Sequence, residues 1–484
     1  MSRFETRTGV IRDDTKIYVN GQWVPPLSGT TVDIVNPATQ SPAGRISLAT
    51  AADVDLAVKA ARTAFKTFSL TTRKQRIGLL QSIAGVYSAR RQDLADALTE
   101  ELGAPAKLAF EIHAGGGLRH LRAAIETLEH YVFEHPQGSR TAVRREPLGA
   151  IGMITSWNWP INQILSRIAP ALATGNTIVH KPSSVTPFTA HIIAEILHEA
   201  GVPKGVYNLV DGTGLEVGAA ISLHRDVAMM SFTGSTAAGI EVARYAAGSG
   251  TRMHRQPGGK SANIVLEDAD MEKAVSECVQ RLMLNSGQTC HAPAHLLVPL
   301  DRLEEAEKIA AQVAGSLRVG DPQTDVHLGP VASQRQWNRI QSLILEGREE
   351  GATVLIGGEG RPQGLKKGYY VKPTIFTRVE SNMTIAREEI FGPVLCILSY
   401  RSEDEAVAIA NSTNGGLVAY VQSASDERAA RVAARLEAGT IFLNGVGEDA
   451  EAPFNGMNAH GREWSEVAFD EFLDTKTVIH RRAM

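Results

Sequence analysis

The sequence predicts an α/β protein with two sheet-bearing domains, and three observations carry that expectation. Short apolar runs at 150–155, 177–181, 206–210 and 228–232 alternate with helical segments, the pattern of a parallel sheet covered by helices on its faces. A second alternation of the same kind extends from about 262 to 445. Glycine is abundant, at 44 of 484 residues, which suits a fold with many strand-to-helix turns. The length leaves room for about three domains of roughly 150 residues.

In chain order, residues 17–25 read as a hairpin, with apolar residues alternating around an Asn20-Gly21 turn. Asn36-Pro37-Ala38-Thr39 is a further turn. From about 51 the period becomes helical: Val54, Val58, Ala61 and Phe65 share one face, and Asp53 suits the positive end of the helix dipole. Helices are expected at 72–87 and at 90–102, the latter stopped by Gly103 with Pro105 beyond. Residues 135–147 are polar and turn-rich, so they read as an exposed hairpin whose edge could dock against another subunit. Within the second α/β region, helices are expected at 272–285, 302–315, 333–349 and 403–412. Strands are expected there at 295–299, 353–356, 396–400 and 440–444.

Composition narrows the function classes. A net charge of −4 argues against nucleic acid or an anionic membrane surface as a partner. No run approaches the roughly 18 apolar residues of a membrane helix, and the first residues lack the apolar core of a signal peptide. The three cysteines, Cys278, Cys290 and Cys396, lie far apart and form no CxxC pair. Neither a disulfide framework nor a structural metal site is expected, and a reducing cytoplasm fits best.

In such sheets ligands bind beyond the carboxyl ends of the strands. Asn158, Lys181, Gly212 and Gly234 follow four successive strands at those ends. The glycine turns Gly212-Thr213-Gly214 and Gly234-Ser235 each open a helical segment, a context that suits a phosphate at a helix N-terminus. Their spacing is not GxGxxG, and most such turns are only turns. Cys290 sits in Asn285-Ser286-Gly287-Gln288-Thr289-Cys290-His291, among small and amide residues without apolar periodicity. A buried structural cysteine is the commoner fate of a single Cys, but these surroundings are not those of a core position.

Taken together the motifs resemble the aldehyde dehydrogenase superfamily along nearly the whole chain. They run in order through Tyr18-Val19-Asn20-Gly21-Gln22-Trp23, Trp157-Asn158-Trp159-Pro160, Lys181-Pro182-Ser183, Ser231-Phe232-Thr233-Gly234-Ser235-Thr236 and Gly258-Gly259-Lys260. Gly287-Gln288-Thr289-Cys290 and Glu389-Ile390-Phe391-Gly392-Pro393 complete the series. The resemblance implies oxidation of a small-molecule aldehyde to a carboxylic acid with NAD or NADP. It implies an NAD(P)-binding domain (1–127 and 148–258), a catalytic domain (259–460) and a small β element (128–147 and 461–484) that makes a homodimer or homotetramer.

By the same resemblance Cys290 is the nucleophile, and Asn158 with the Cys290 backbone N–H holds the oxyanion. Lys181 and Glu389 match the residues that hold the two riboses of the cofactor. Ser156, Trp157, Ser183, Ser184, Gly214, Gly234, Ser235 and Phe391 fall on the remaining cofactor positions. Trp159, Gln163, Ser166, His291 and Phe454 fall on substrate-pocket positions, giving a funnel expected to be more polar than apolar. His291 is read as lining rather than as a base, because neighbouring side chains on a chain usually point apart.

Three departures from the family pattern stand out. Gln256 occupies the place of the glutamate that activates the deacylating water, and an amide cannot take up that proton at neutral pH. Glu466 could substitute for it, the acyl group could pass to a thiol such as coenzyme A, or the protein could turn over weakly as a nucleotide-binding relative. Ser184 replaces a glutamate common in NAD-preferring members, so NADP is expected to be tolerated. The stretch Ala452–Arg462 is shorter than the family's, and the acidic run Glu448-Asp449-Ala450-Glu451 before it could line the substrate entrance.

Overall fold

The computed structural model describes residues 12–256, 259–412, 416–447, 452–454 and 464–481. Two large sheets organise it. The first has seven strands in the spatial order Arg252–Gln256, Val227–Thr233, Ala150–Ile154, Thr177–Lys181, Tyr207–Leu209, Ile17–Val19, Gln22–Val24. The strands from Arg252–Gln256 through Tyr207–Leu209 are parallel, and the hairpin adds antiparallel strands at one edge. Its turn holds Asn20 at φ 51° and Gly21 at φ 77°, the left-handed pair that matches strand twist.

The strand Arg252–Gln256 was not legible in the sequence. Its residues are mostly polar, and it forms the outer edge of the sheet, where one flank of the backbone stays unpaired and apolar alternation is not demanded. Apolar clusters cover both faces of the sheet, one around Leu80, Tyr87, Ile164 and Phe188, the other around Val58, Val179, Ile221 and Met230. Helix Pro160–Thr174 is buried along nearly its whole length, and its polar side chains Gln163, Ser166 and Arg167 are buried with it through hydrogen bonds to one another. Helix Ala51–Phe68 begins with a capping box: the Thr50 backbone N–H donates to Asp53 Oδ2 at 2.8 Å. Asp53 is therefore buried and hydrogen-bonded, beyond the dipole role expected of it.

The second sheet also has seven strands, ordered Thr353–Ile356, Thr374–Thr377, Val394–Tyr400, His295–Pro299, Ala262–Val265, Val418–Gln422, Thr440–Leu443. All but the first of these run parallel. Thr374–Thr377 and Val418–Gln422 were missed because short, fully buried strands carry no period-two signal. A three-stranded antiparallel sheet joins Glu134–Pro136 and Thr141–Pro147, the expected hairpin, to Leu473–Ile479 near the C-terminus. Among the described residues no helix is long and apolar enough to cross a membrane.

Candidate active site

The site forms where the first sheet's strand ends meet a loop from the second half of the chain. Strand Ala150–Ile154 ends just before Ser156, Trp157, Asn158 and Trp159, and Pro160 then starts the next helix at a position where its missing N–H costs nothing. Helix Met271–Met283 stops two residues before the expected end, because Asn285 and Ser286 take left-handed φ values of 53° and 55°, followed by Gly287 at 75°. Such backbone costs an ordinary residue about 1–2 kcal/mol, and hydrogen bonds hold it here. Asn285 Nδ2 donates to the Asn158 carbonyl at 2.8 Å, and Ser286 Oγ donates to the Gly329 carbonyl at 2.9 Å. Gln288 is clasped at both ends of its amide: Nε2 donates to Asn285 O at 3.0 Å, and Oε1 accepts from Ala332 N at 2.8 Å. A Cβ on Gly287 would collide with the Gly392 carbonyl, so glycine there lets this loop pack against the 389–393 loop.

Asn158 is buried with its amide orientation set from both sides. Oδ1 accepts from Ser156 Oγ at 2.7 Å, and Nδ2 donates to the Gln288 carbonyl at 3.2 Å. One amide hydrogen is left for a further acceptor beside the Cys290 loop. Trp159 donates its indole N–H to Thr289 Oγ1 at 3.0 Å and stacks on His113 at 4.0 Å between ring centroids. It therefore braces the nucleophile's neighbour rather than standing as an open pocket wall. His113, on the π-helical turn Ala109–His113, was not singled out in the sequence; burial pushes its imidazole down to about 3, so it stays neutral under Trp159.

Cys290 is partly exposed, whereas Cys278 and Cys396 are buried. Burial pushes the Cys278 thiol up to about 12, which leaves it inert as a nucleophile. Cys290 Sγ lies 3.9 Å from His291 Nδ1. This corrects the expectation that the two side chains diverge. Ala292 N donates to Thr289 O at 3.1 Å, so Cys290 and His291 are the central pair of a tight turn and do not follow the alternation of an extended chain.

The funnel differs from the polar one expected. Phe454 and Trp464 stack at 4.6 Å and 21°, His291 meets Phe454 edge-on at 6.1 Å, and His120 lies 5.7 Å from Trp464. Cys290 and Trp464 pack against the cluster of Leu417, Val418, Tyr420, Phe442 and Phe454. Gln163 and Ser166 are buried and turned to the Arg167 guanidinium, which donates to Gln163 Oε1 at 2.8 Å and to Ser166 Oγ at 3.1 Å. Trp464, the strongest aromatic addition, was missed because its spacing from Phe454 signals nothing in one dimension. Glu466 is exposed on the short helix Ser465–Glu471, and no described contact joins it to Cys290. The side chain of Gln256 and the run Glu448–Glu451 lie outside the described residues; the backbone of Gln256 ends the edge strand opposite Thr233.

Most of the expected cofactor residues lie at or just past strand ends of the first sheet, and Glu389 and Phe391 lie on a loop of the second half of the chain. Lys181 closes strand Thr177–Lys181 and is buried; its Nζ donates to the Pro182 carbonyl at 2.6 Å. Burial lowers its ammonium to about 8, with Asp211 opposing the shift. Ser183 Oγ accepts from Val185 N at 3.2 Å, and Ser184 is exposed. Gly214 opens the π-helical turn Gly214–Gly218, and Gly234 leads into Ser235, which caps helix Thr236–Ser249 through Ala238 N. From the other side Phe391, at φ 56°, meets Trp157 edge-on at 5.5 Å. Glu389 next to it is largely enclosed, and burial pushes its carboxyl up to about 7 against the pull of Arg339 and Lys260. No hydrogen bond to that carboxylate is recorded, so its acceptor sites suit a vicinal diol such as a ribose. Among the described residues no cluster of His, Cys, Asp or Glu could hold a metal ion.

A family model described as "Aldehyde dehydrogenase family" matches residues 23–478. A 3-succinoylsemialdehyde-pyridine dehydrogenase of a Pseudomonas species is 48% identical over 97% of this chain and 99% of its own length. Among solved structures, a cysteine-to-alanine mutant of aldehyde dehydrogenase C from Pseudomonas syringae, in complex with NAD+ and octanal, is 44% identical. It superposes with a TM-score of 0.95, covering 97% of this chain and 98% of that one. A betaine aldehyde dehydrogenase from Staphylococcus aureus in complex with NAD+ is 32% identical with a TM-score of 0.93, covering 96% and 94%.

Proposed function

The chain belongs to the aldehyde dehydrogenase family, and from that premise we propose that Cys290 is its nucleophile, Asn158 its oxyanion donor, and the crevice between Lys181 and Glu389 its cofactor site. The protein is an NAD(P)-dependent aldehyde dehydrogenase. The observation that carries the residue assignment is the fixed amide of Asn158, with its nitrogen turned to the Cys290 loop.

Cys290 Sγ attacks the aldehyde carbon, and the developing oxyanion is held by Asn158 Nδ2 and the Cys290 backbone N–H. A bound nicotinamide supplies the hydride acceptor. Loss of hydride from the thiohemiacetal carbon leaves a thioester on Cys290. Glu389 and Lys181 would hold the ribose hydroxyls, as acceptor and donor, and the Ser235-capped helix start would offer its N–H groups to the pyrophosphate. The first sheet and its helices (1–127 and 148–258) form the cofactor domain, and 259–460 the catalytic domain. The element of 128–147 and 461–484, which carries the sheet of Glu134–Pro136, Thr141–Pro147 and Leu473–Ile479, joins subunits into a homodimer or homotetramer.

The charge states of Glu389 and Lys181 imply a pH window for cofactor affinity. Below about 7 the Glu389 carboxyl is protonated and accepts less well; above about 8 Lys181 loses its proton. NAD is expected to bind tightest between these limits. Fluorescence titration from pH 6 to 9 checks this, and an affinity flat across that range excludes both assignments. Because Ser184 brings no negative charge, NADP should show the same window.

The substrate class follows from the aromatic funnel. Stacked Phe454 and Trp464 beside Cys290 suit a flat ring, and each ring–ring contact adds about 0.5–1.5 kcal/mol beyond burial. The Pseudomonas relative is named for a pyridine-bearing semialdehyde, which supports an aryl or heteroaryl aldehyde here. An aldehyde with a terminal phenyl or pyridyl ring should show a kcat/KM about tenfold above that of a straight-chain aldehyde of equal carbon number. Equal values, or a preference for the straight chain, would count against this class.

A further inference from the structure

We propose that His291 is the general base that releases the acyl group from Cys290. This rests on the assignment of Cys290 as nucleophile. The reaction needs a group that takes a proton from water as it attacks the thioester. Gln256 has no basic atom for that purpose, and Glu466 is solvent-exposed, with no described contact to Cys290. The one titratable side chain that a described contact places on the sulfur is His291, with Nδ1 at 3.9 Å from Sγ.

Three features hold the ring there. The Thr289–Ala292 turn holds Cys290 and His291 as its central pair, with the two side chains in contact. Tyr420 Oη donates to the His291 carbonyl at 2.6 Å and fixes the backbone. Phe454 packs edge-on against the imidazole. The half-buried position lets water reach the ring, beside a partly exposed sulfur that packs against the aromatic cluster. A separation of this size before substrate binds is ordinary for a general base, since such contacts tighten once the reacting group is in place.

The step balances without a further reactant. Water oxygen bonds to the thioester carbon while one of its protons passes to His291 Nδ1, in the tautomer that carries hydrogen on Nε2. The tetrahedral intermediate collapses, the C–S bond breaks, and the proton returns from Nδ1 to Sγ. The carboxylic acid leaves and the thiol is restored. Asn158 Nδ2 serves the oxyanion of this step as it served the first.

A 4-nitrophenyl ester acylates a reactive thiol without cofactor and so separates acylation from release. The wild-type protein should give a burst of nitrophenolate, then steady turnover. His291→Ala and His291→Gln should keep a burst of about one equivalent, while the steady rate falls about 100-fold or more. Added imidazole should restore the steady rate of His291→Ala, and to a lesser degree that of His291→Gln, whose side chain still fills the site. With aldehyde and NAD, the same variants should show an NADH burst and slow turnover. Steady rates within twofold of wild type, or an effect confined to KM, would overturn the proposal and return His291 to pocket lining. Release in the variants restored by coenzyme A but not by imidazole would also overturn it. Absence of a burst in the wild type would instead refute Cys290 as nucleophile, a separate failure.

Discussion

Cys290→Ala is expected to abolish aldehyde oxidation, with a fall of at least about 10⁴-fold in kcat and no NADH burst in a single turnover. The expectation follows from what the other cysteines cannot do. Cys278 and Cys396 are fully buried, and burial raises both thiols above their ordinary value, so neither can take over. The fold should tolerate the change. Cys290 is partly exposed, and its single recorded polar contact is the one to His291, so truncation to alanine should cost about 1 kcal/mol or less. Stopped-flow absorbance of NADH and a thermal melt on the same preparation check both halves. Residual turnover above a few per cent would show that the nucleophile lies elsewhere.

Asn158→Ala carries the second-largest effect. It removes a fixed donor from the place where negative charge develops, a loss of about 3–4 kcal/mol of barrier, or about 10²–10³-fold in kcat. Asn158→Asp is more informative because it keeps the shape. An oxygen would then face the Gln288 carbonyl at the 3.2 Å now spanned by a hydrogen bond, and a carboxylate would face the forming oxyanion. The aspartate variant should therefore be slower than the alanine variant in kcat. KM for the cofactor should change less than kcat in either, because the Asn158 side chain meets the expected cofactor residues through the Ser156 hydroxyl and has no described contact with Lys181 or Glu389. Equal kcat for wild type and Asn158→Ala would remove Asn158 from the oxyanion site.

Much of the fold was readable along the chain. The Asn20-Gly21 hairpin, the helices from 51 to 102 and the parallel strands at 150–232 all announce themselves through turn residues, caps and period, which are local properties. Three of the strands that escaped show why. Arg252–Gln256 is an edge strand made of polar residues, and Thr374–Thr377 and Val418–Gln422 are short strands buried on both faces. None has a periodicity that distinguishes it without its neighbours. The end of helix Met271–Met283 was misplaced for a related reason. Asn285 and Ser286 are held left-handed by partners at Asn158 and Gly329, more than 40 residues away in either direction.

The sequence by itself determined the chemistry available: a thiol at 290, an amide at 158, a lysine at 181, a glutamate at 389, and no basic atom at 256. These follow from residue type, which no fold can alter. Tertiary structure decided how those groups face one another. It turned Glu466 out to solvent, tied Gln163 to Arg167, and set Trp159 beneath the Thr289 side chain instead of in the open funnel. It also brought Phe454 and Trp464 together beside the sulfur. Most consequentially, it closed a four-residue turn around Cys290 and His291, so that two adjacent side chains meet where an extended chain would hold them apart. Side-chain direction depends on backbone dihedrals; the local Thr289–Ala292 bond closes this turn, and the Tyr420 hydroxyl on the His291 carbonyl, from 129 residues away, fixes it in place.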